Sequence, residues 1–257
     1  MNSILKTLLP LEAMPMEEKS GVVYTKAWVI DLILDLVGYT SDQPLFERQI
    51  VEPAAGSGAF LHQIVARLAV SCQLRNLSLM QCRSAIKAYE LDADSAMQCR
   101  VCLHKVLQQH GLSSEQAENL ASAWVHTGDY LLESITQQNQ ADYVVGNPPY
   151  IRLEDLYEGG AQYRALYKTM VGRADIYVAF YEAALRQLKT EGVCGLICAD
   201  RWMFNQYGAE LRNFITKRFA VEAVIQMHHA DAFDREVSAY PAVTIIRNGC
   251  QGPVVVA

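Results

Sequence analysis

The sequence predicts an α/β fold: a mostly parallel sheet with helices on both faces. Two observations predict it. Short apolar runs alternate with stretches of helical periodicity, the pattern of strands joined by crossover helices. Several of those runs end in glycine-rich, acidic or Pro-Pro segments, the residue types found where strands meet a ligand. The length agrees, since 257 residues that are 51% hydrophobic and 19% charged can bury one large α/β core or two small ones.

The elements follow in order. Residues 1–20 read as an N-terminal helical extension, with Glu17-Glu18-Lys19 on a solvated face rather than in a nuclease cluster. Gly21-Val22-Val23-Tyr24-Thr25 leads into the first clear helix. Thr25 suits its N-cap, Ala27, Ile30, Ile33, Leu34 and Val37 fall at helical spacing, and Gly38 stands where a C-cap belongs. A strand at Gln49-Ile50-Val51 runs into Glu52-Pro53-Ala54-Ala55-Gly56-Ser57-Gly58. The next helix carries Phe60, Leu61, Ile64, Val65 and Leu68 on one side. Further strands read as Ile86–Glu90, Trp124–His126, Tyr143–Val145, Val193–Ala199, Ala223–Met227 and Ala242–Ile246. Helices read as Ala93–His110, Ile176–Leu188 and Ala209–Phe219. The polar stretch Leu153–Arg173, with Gly159-Gly160, reads as a long loop holding a helical piece.

Composition narrows the function. Twenty-two Lys+Arg against 28 Asp+Glu give a net charge of −6. A dedicated nucleic-acid module shows a basic excess, so any grip on DNA or RNA is local or supplied elsewhere. Seven Cys at irregular spacings, no secretory leader and no apolar run of about 18 residues point to free thiols, a cytoplasmic setting and no membrane span.

Four strand ends carry the chemistry. Glycines after Glu52 let the backbone turn sharply and approach a ligand closely, though a simple tight turn explains them too. The segment lacks both a P-loop lysine and the spacing of a dinucleotide site. Glu90, ending the next strand, can accept from two ribose hydroxyls, or can be a solvent-exposed acid at a helix start. Asp129 in Thr127-Gly128-Asp129-Tyr130 can accept from an exocyclic amine, or can be an N-cap. In Asn147-Pro148-Pro149-Tyr150, two prolines remove backbone donors. The Asn147 amide and the local carbonyls then face a partner as acceptors, and an amino group on a flat ring suits them. Tyr150 can stack on that ring.

With these four motifs in this order, the chain resembles the S-adenosylmethionine-dependent DNA adenine-N6 methyltransferases of the gamma arrangement, such as the methylase portions of type IIG restriction–modification enzymes. The likeness covers Gly21 to Asn248 and includes Ala174-Asp175-Ile176-Tyr177 with Phe180, Glu191-Gly192-Val193 through Trp202, Tyr207 to Arg212, and Phe233 with Val237 and Tyr240-Pro241-Ala242-Val243-Thr244. The chain departs where Lys26 replaces a frequent proline and Ala55 a frequent cysteine, and neither removes a group the chemistry needs.

The resemblance implies a Rossmann-like class I methyltransferase fold with a seven-stranded, mostly parallel sheet. It implies a catalytic domain over 21–257, with the target-recognition domain absent and supplied by a separate or C-terminal region. S-adenosylmethionine would be the cofactor and double-stranded DNA the partner. Tyr24 and Thr25 would lie near the methionine carboxylate, and Glu52 would accept from the ammonium. Pro53, Ala54, Gly56 and Gly58 would line the path. Glu90 would hold the ribose, Leu91 would pack on the adenine, and Asp129 would accept from its amine with Tyr130 beside it. Asn147 and the Pro148 carbonyl would accept from N6 of a flipped-out adenine, stacked between Tyr150 and Phe233.

No metal is expected. Cys99-Arg100-Val101-Cys102 has half-site spacing but lies in a helical pattern without a second pair. Cys194 and Cys198 read as small core residues, and His228-His229 as the edge of a cleft or a turn. Two other functions compete: methylation of a protein glutamine amide, which also uses an Asn-Pro-Pro-Tyr loop, and a cofactor-binding subunit inactive on its own.

Overall fold

A computed structural model describes residues 24–152, 159–228, 230–234 and 240–257. The expected N-terminal extension, the Gly21-Val22-Val23 lead, His229 and Val237 lie outside the described residues.

Among the described residues, eight strands form one sheet: β1 (Ile50–Glu52), β2 (Ile86–Glu90), β3 (Val125–Thr127), β4 (Ala141–Gly146), β5 (Leu188–Ala199), β6 (Ala220–Gln226), β7 (Pro241–Arg247) and β8 (Val255–Val256). Their order across the sheet is β3-β2-β1-β4-β5-β7-β6-β8. β7 runs antiparallel to both its neighbours, β5 and β6. Every other neighbouring pair is parallel. The sheet is therefore mostly parallel, as expected, but it has eight strands rather than seven. The extra strand comes from the Pro253–Ala257 tail. An edge strand leaves unpaired N–H and C=O groups, and a short β-branched run can meet them. Here Val255 and Val256 pair with Ala223 and Val224, and the Gln226 N–H donates to the Ala257 carbonyl at 2.8 Å.

Helices cover both faces. On one side lie α1 (Ala27–Leu36), α2 (Ala59–Gln73), α3 (Ala93–Gln109) and α4 (Ser114–Trp124), packed through Ile30, Ile33, Leu61, Ile64, Leu107 and Trp124. On the other lie α5 (Tyr130–Glu133), α7 (Tyr177–Gln187) and α8 (Ala209–Arg218), packed through Leu131, Tyr181, Leu185, Leu211 and Ile215. A short helix α6 (Gly159–Leu166) precedes α7. The two-residue period of the pleat divides each central strand between these layers. Along β5, Val193 and Ile197 join the first, and Cys194, Leu196 and Cys198 join the second.

The first helix starts one residue later than expected. Its N-cap is Lys26, with no side-chain cap, and Thr25 instead forms an antiparallel bridge with Phe233. The C-terminus agrees with the sequence. Gly38 takes φ +79°, with its N–H on the Asp35 carbonyl and the Tyr39 N–H on the Leu34 carbonyl. That is a Schellman ending, and it requires the left-handed conformation glycine adopts freely.

Candidate functional site

The sheet order sets the acidic and amide residues in a row. β3, β2, β1 and β4 are successive neighbours. Asp129, Glu90, Glu52 and Asn147 stand at or just beyond their carboxyl ends. With strands ~4.8 Å apart, the row spans roughly 14 Å, the scale of an elongated nucleoside-bearing ligand. A cleft of about 500 Å³ opens along it. Tyr24, Thr25, Pro53, Ala54, Gly56, Leu91, Tyr130, Pro148 and Tyr150 line that cleft with the four polar residues.

Glu52 is 2% exposed, and its Oε2 is buried with no hydrogen-bond partner. Burial, with the Glu90 carboxylate second, pushes its carboxyl well above the usual glutamate range. A bound cation would satisfy the orphaned oxygen and favour the charged form. Glu90 is held differently. Its Oε2 accepts from the Gly56 N–H at 2.8 Å and its Oε1 from the Asp92 N–H at 2.9 Å. Each oxygen keeps further acceptor capacity, as two neighbouring hydroxyls would require.

The glycine loop is shaped by both neighbours. Gly56 has φ +53° and Gly58 has φ +93°. A Cβ on Gly58 would lie 3.0 Å from the Cys99 Sγ, so α3 presses on the loop from behind. Gly58 itself does not line the cleft. Leu91 is 68% exposed at the rim.

Asp129 combines both of its sequence readings. It caps α5, with Oδ1 accepting from the Leu131 and Leu132 N–H groups at 2.9 and 3.3 Å. It also lines the cleft, where its Oδ2 accepts from the Tyr163 hydroxyl at 2.6 Å. Tyr130 stacks on Phe180 with centroids 5.5 Å apart and an interplanar angle of 21°. Its hydroxyl donates to Gln187 Oε1 at 3.0 Å.

At the far end, Asn147 Nδ2 donates to Thr25 Oγ1 at 3.2 Å. That contact commits the amide nitrogen and orients the side chain. Tyr150 donates its hydroxyl to the Ile197 carbonyl at 3.3 Å and meets Tyr177 edge-on at 6.4 Å. Burial pushes its hydroxyl pKa well up, so it stays a neutral donor.

Phe233 departs from expectation. It is 6% exposed, packs in the first apolar layer and is not among the residues lining the cleft. A large ring beside the interior is held there by burial. Its segment acts through the backbone instead. The Lys26 N–H donates to the Ala232 carbonyl at 2.9 Å and the Asp234 N–H to the Tyr24 carbonyl at 3.1 Å. Tyr24 and Thr25 are thereby fixed at the rim.

Sequence reasoning missed Tyr163 and gave no role to Phe60, Ile176 or Phe180, all of which line the cleft. A lone tyrosine in a polar stretch carries no signal. Its spacing of four from Tyr167 is the one hint of a shared helix face. The cysteine pair divides, with Cys99 buried and Cys102 exposed. Among the described residues no group of three His, Cys, Asp or Glu could hold a metal, and no helix is long and apolar enough to cross a membrane. His228 Nε2 donates to Asp200 Oδ2 at 2.8 Å beyond β5.

Residues 64–233 match the family described as Eco57I restriction-modification methylase. The chain is 42% identical to the type II methyltransferase M.PaeR7I of Pseudomonas aeruginosa, over 89% of this chain and 40% of that protein. It is 39% identical to M.BstVI of Geobacillus stearothermophilus, over 88% of this chain and 42% of that protein. The chain thus spans about two fifths of these relatives' length. Among solved structures, the type IIG restriction endonuclease BpuSI aligns over 89% of this chain and 26% of its own, at 19% identity and a TM-score of 0.64. A Listeria monocytogenes protein provisionally assigned as a class I S-adenosylmethionine-dependent methyltransferase aligns over 90% of this chain and 63% of its own, at 14% identity and a TM-score of 0.61. At such identities the structures speak to the fold, which is the α/β fold of class I methyltransferases.

Proposed function

Because the chain belongs to the Eco57I restriction-modification methylase family, we propose that it is the catalytic domain of a site-specific DNA methyltransferase acting on N6 of a flipped-out adenine. The cofactor is S-adenosylmethionine. The observation that carries the reading is the meeting in one cleft of Asn147-Pro148-Pro149-Tyr150 with Glu52, whose buried Oε2 lacks a partner.

The residues present fit that cofactor. Glu52 would accept from its ammonium, Glu90 from its ribose hydroxyls, and Asp129 from its purine amine, in the order the strands impose. Pro53, Ala54 and Gly56 would line its path, with Tyr24 and Thr25 near the amino-acid end. Gly58 shapes that loop rather than touching the ligand. When bound, S-adenosylmethionine supplies an electrophilic methyl group.

The chain's part is positioning. Unstacking a base costs a few kcal/mol, and Tyr150 returns part of it by stacking. Phe233 supports Thr25 rather than serving as a second stacking face. Asn147 Oδ1 and the Pro148 carbonyl would accept from the adenine N6–H groups and so orient the nitrogen lone pair towards the place where the cofactor would present its methyl group. No covalent intermediate with the protein is required.

We place the sequence-reading function, and most phosphate contacts, in a separate or C-terminal region. The greater length of the relatives and the net charge of −6 support this. Relatives named as type II methyltransferases and a family named for restriction-modification give no support to a glutamine amide as substrate.

The test is transfer of labelled methyl to unmethylated DNA, with nucleoside digestion and an Asn147→Ala variant alongside. N6-methyladenine that disappears in the variant is the expected result. N4-methylcytosine as the product would overturn the adenine assignment. Calorimetric cofactor binding without transfer to DNA would instead favour a subunit inactive on its own.

A further inference from the structure

Tyr163 stands on α6, beyond the catalytic loop in the chain. Its hydroxyl reaches Asp129 Oδ2 at 2.6 Å, and both residues line the cleft. Asp129 Oδ1 already takes the Leu131 and Leu132 N–H groups. An ionised carboxylate offers about four acceptor sites. Among the described residues, one is left, on Oδ2 beside the phenol. Tyr167, one turn on from Tyr163, shares a hydrogen bond with the Ser134 hydroxyl at 3.2 Å and donates to the Leu131 carbonyl. Tyr163 on α6 and Tyr167 just past its end therefore clamp the start of α5 twice. Tyr163 is 7% exposed, so its phenol is a fixed part of the wall.

The polarity of this arrangement is one-way. The phenol spends its single hydrogen on Asp129, and the carboxylate has none to offer. The remaining site can only accept. An amine on a purine ring satisfies it, whereas a ring carbonyl in the same place would set a lone pair against a carboxylate and leave both unpaired.

We propose that Tyr163 is a positioning residue that holds Asp129 as an acceptor, so that this end of the cleft selects a 6-amino purine over a 6-oxo purine. The inference rests on the cofactor reading proposed above. It assigns to α6, and not to Asp129 alone, the recognition of the cofactor's base.

The experiment is calorimetric binding of S-adenosylhomocysteine and S-inosylhomocysteine to the whole chain, to Tyr163→Phe and to Asp129→Asn. The wild-type protein should bind the adenosyl compound at least about 10-fold more tightly. Tyr163→Phe should lose about 5- to 10-fold in adenosyl affinity and little in inosyl affinity, so the ratio collapses. Its unliganded melting temperature should stay near wild type. Equal weakening of both ligands would overturn the inference in favour of a structural role, and so would an unchanged ratio. If the wild-type protein binds both compounds equally, the inference fails while the cofactor reading stands. If folded wild-type protein binds neither, both fail. Asp129→Asn, which adds a donor, should shift the preference towards the inosyl compound.

Discussion

Thr25 and Asn147, 122 residues apart in sequence, are joined by a hydrogen bond of 3.2 Å from the asparagine amide to the threonine hydroxyl. The contact ties the rim that precedes α1 to the loop that follows β4. Thr25 is 6% exposed and bridged to Phe233, so the hydroxyl is a rigid acceptor. The hydrogen bond consequently fixes which way the Asn147 amide faces.

Removing that hydroxyl should slow the reaction more than it weakens binding. Thr25→Val keeps the side-chain shape but frees the amide to turn. We expect kcat for methyl transfer to fall about 3- to 10-fold, as for loss of one hydrogen bond, and by more than the affinity for S-adenosylhomocysteine falls. Thr25→Ser should keep the wild-type rate. Single-turnover transfer alongside calorimetry checks both.

Glu52 gives a pH-dependent stability. Burial and the Glu90 charge raise its folded pKa above the ordinary 4.5. A carboxyl that holds its proton more tightly in the fold than in the unfolded chain costs stability as pH rises from that ordinary value through the raised one. The unliganded protein should therefore melt lower as pH climbs above about 4.5, and Glu52→Gln should reduce this slope. Thermal melts across pH read it. If the proposed binding mode holds, the same substitution should weaken cofactor binding on the order of 10-fold or more, since it removes the charge that would face the ammonium.

Gly58 should not tolerate a side chain. At φ +93° an alanine is strained, and its Cβ would stand 3.0 Å from the Cys99 Sγ. Gly58→Ala should lower unfolding free energy by about 1–3 kcal/mol. Adding Cys99→Ala should recover the steric part alone, because the backbone strain persists. Urea denaturation of the single and double variants separates the two contributions.

Tyr150 should divide by function between ring and hydroxyl. Tyr150→Phe loses only the donor to Ile197 and should retain transfer within about 3-fold. Tyr150→Ala removes the ring that we propose stacks on the target base and should cost about 10- to 100-fold. The fluorescence of 2-aminopurine at the target position should fall short of the wild-type increase in the alanine variant only.

Much of the frame was legible in the sequence because it rests on local rules. Period-2 and period-3.6 apolar patterns place β2, α3, α7 and α8 to within a few residues. Gly38 reads as a helix stop because a left-handed φ favours glycine wherever it occurs. The eighth strand was not legible. Val254, Val255 and Val256 are exposed, and only the unpaired edge of β6 makes two of them a strand.

By itself the sequence determined the alternation of strands and helices, and which residue types end each strand: Glu52, Glu90, Asp129 and Asn147. Those are short-range properties, set by side-chain chemistry and backbone stiffness. Only the tertiary structure decided that the four stand in one row and that Thr25 orients Asn147 instead of capping a helix. It also decided that Phe233 packs inward and that Tyr163 closes on Asp129. Each of these depends on strand order and on pairings between residues far apart in the chain. Such pairings are selected by packing and by the need to satisfy buried polar groups, and no local pattern records them.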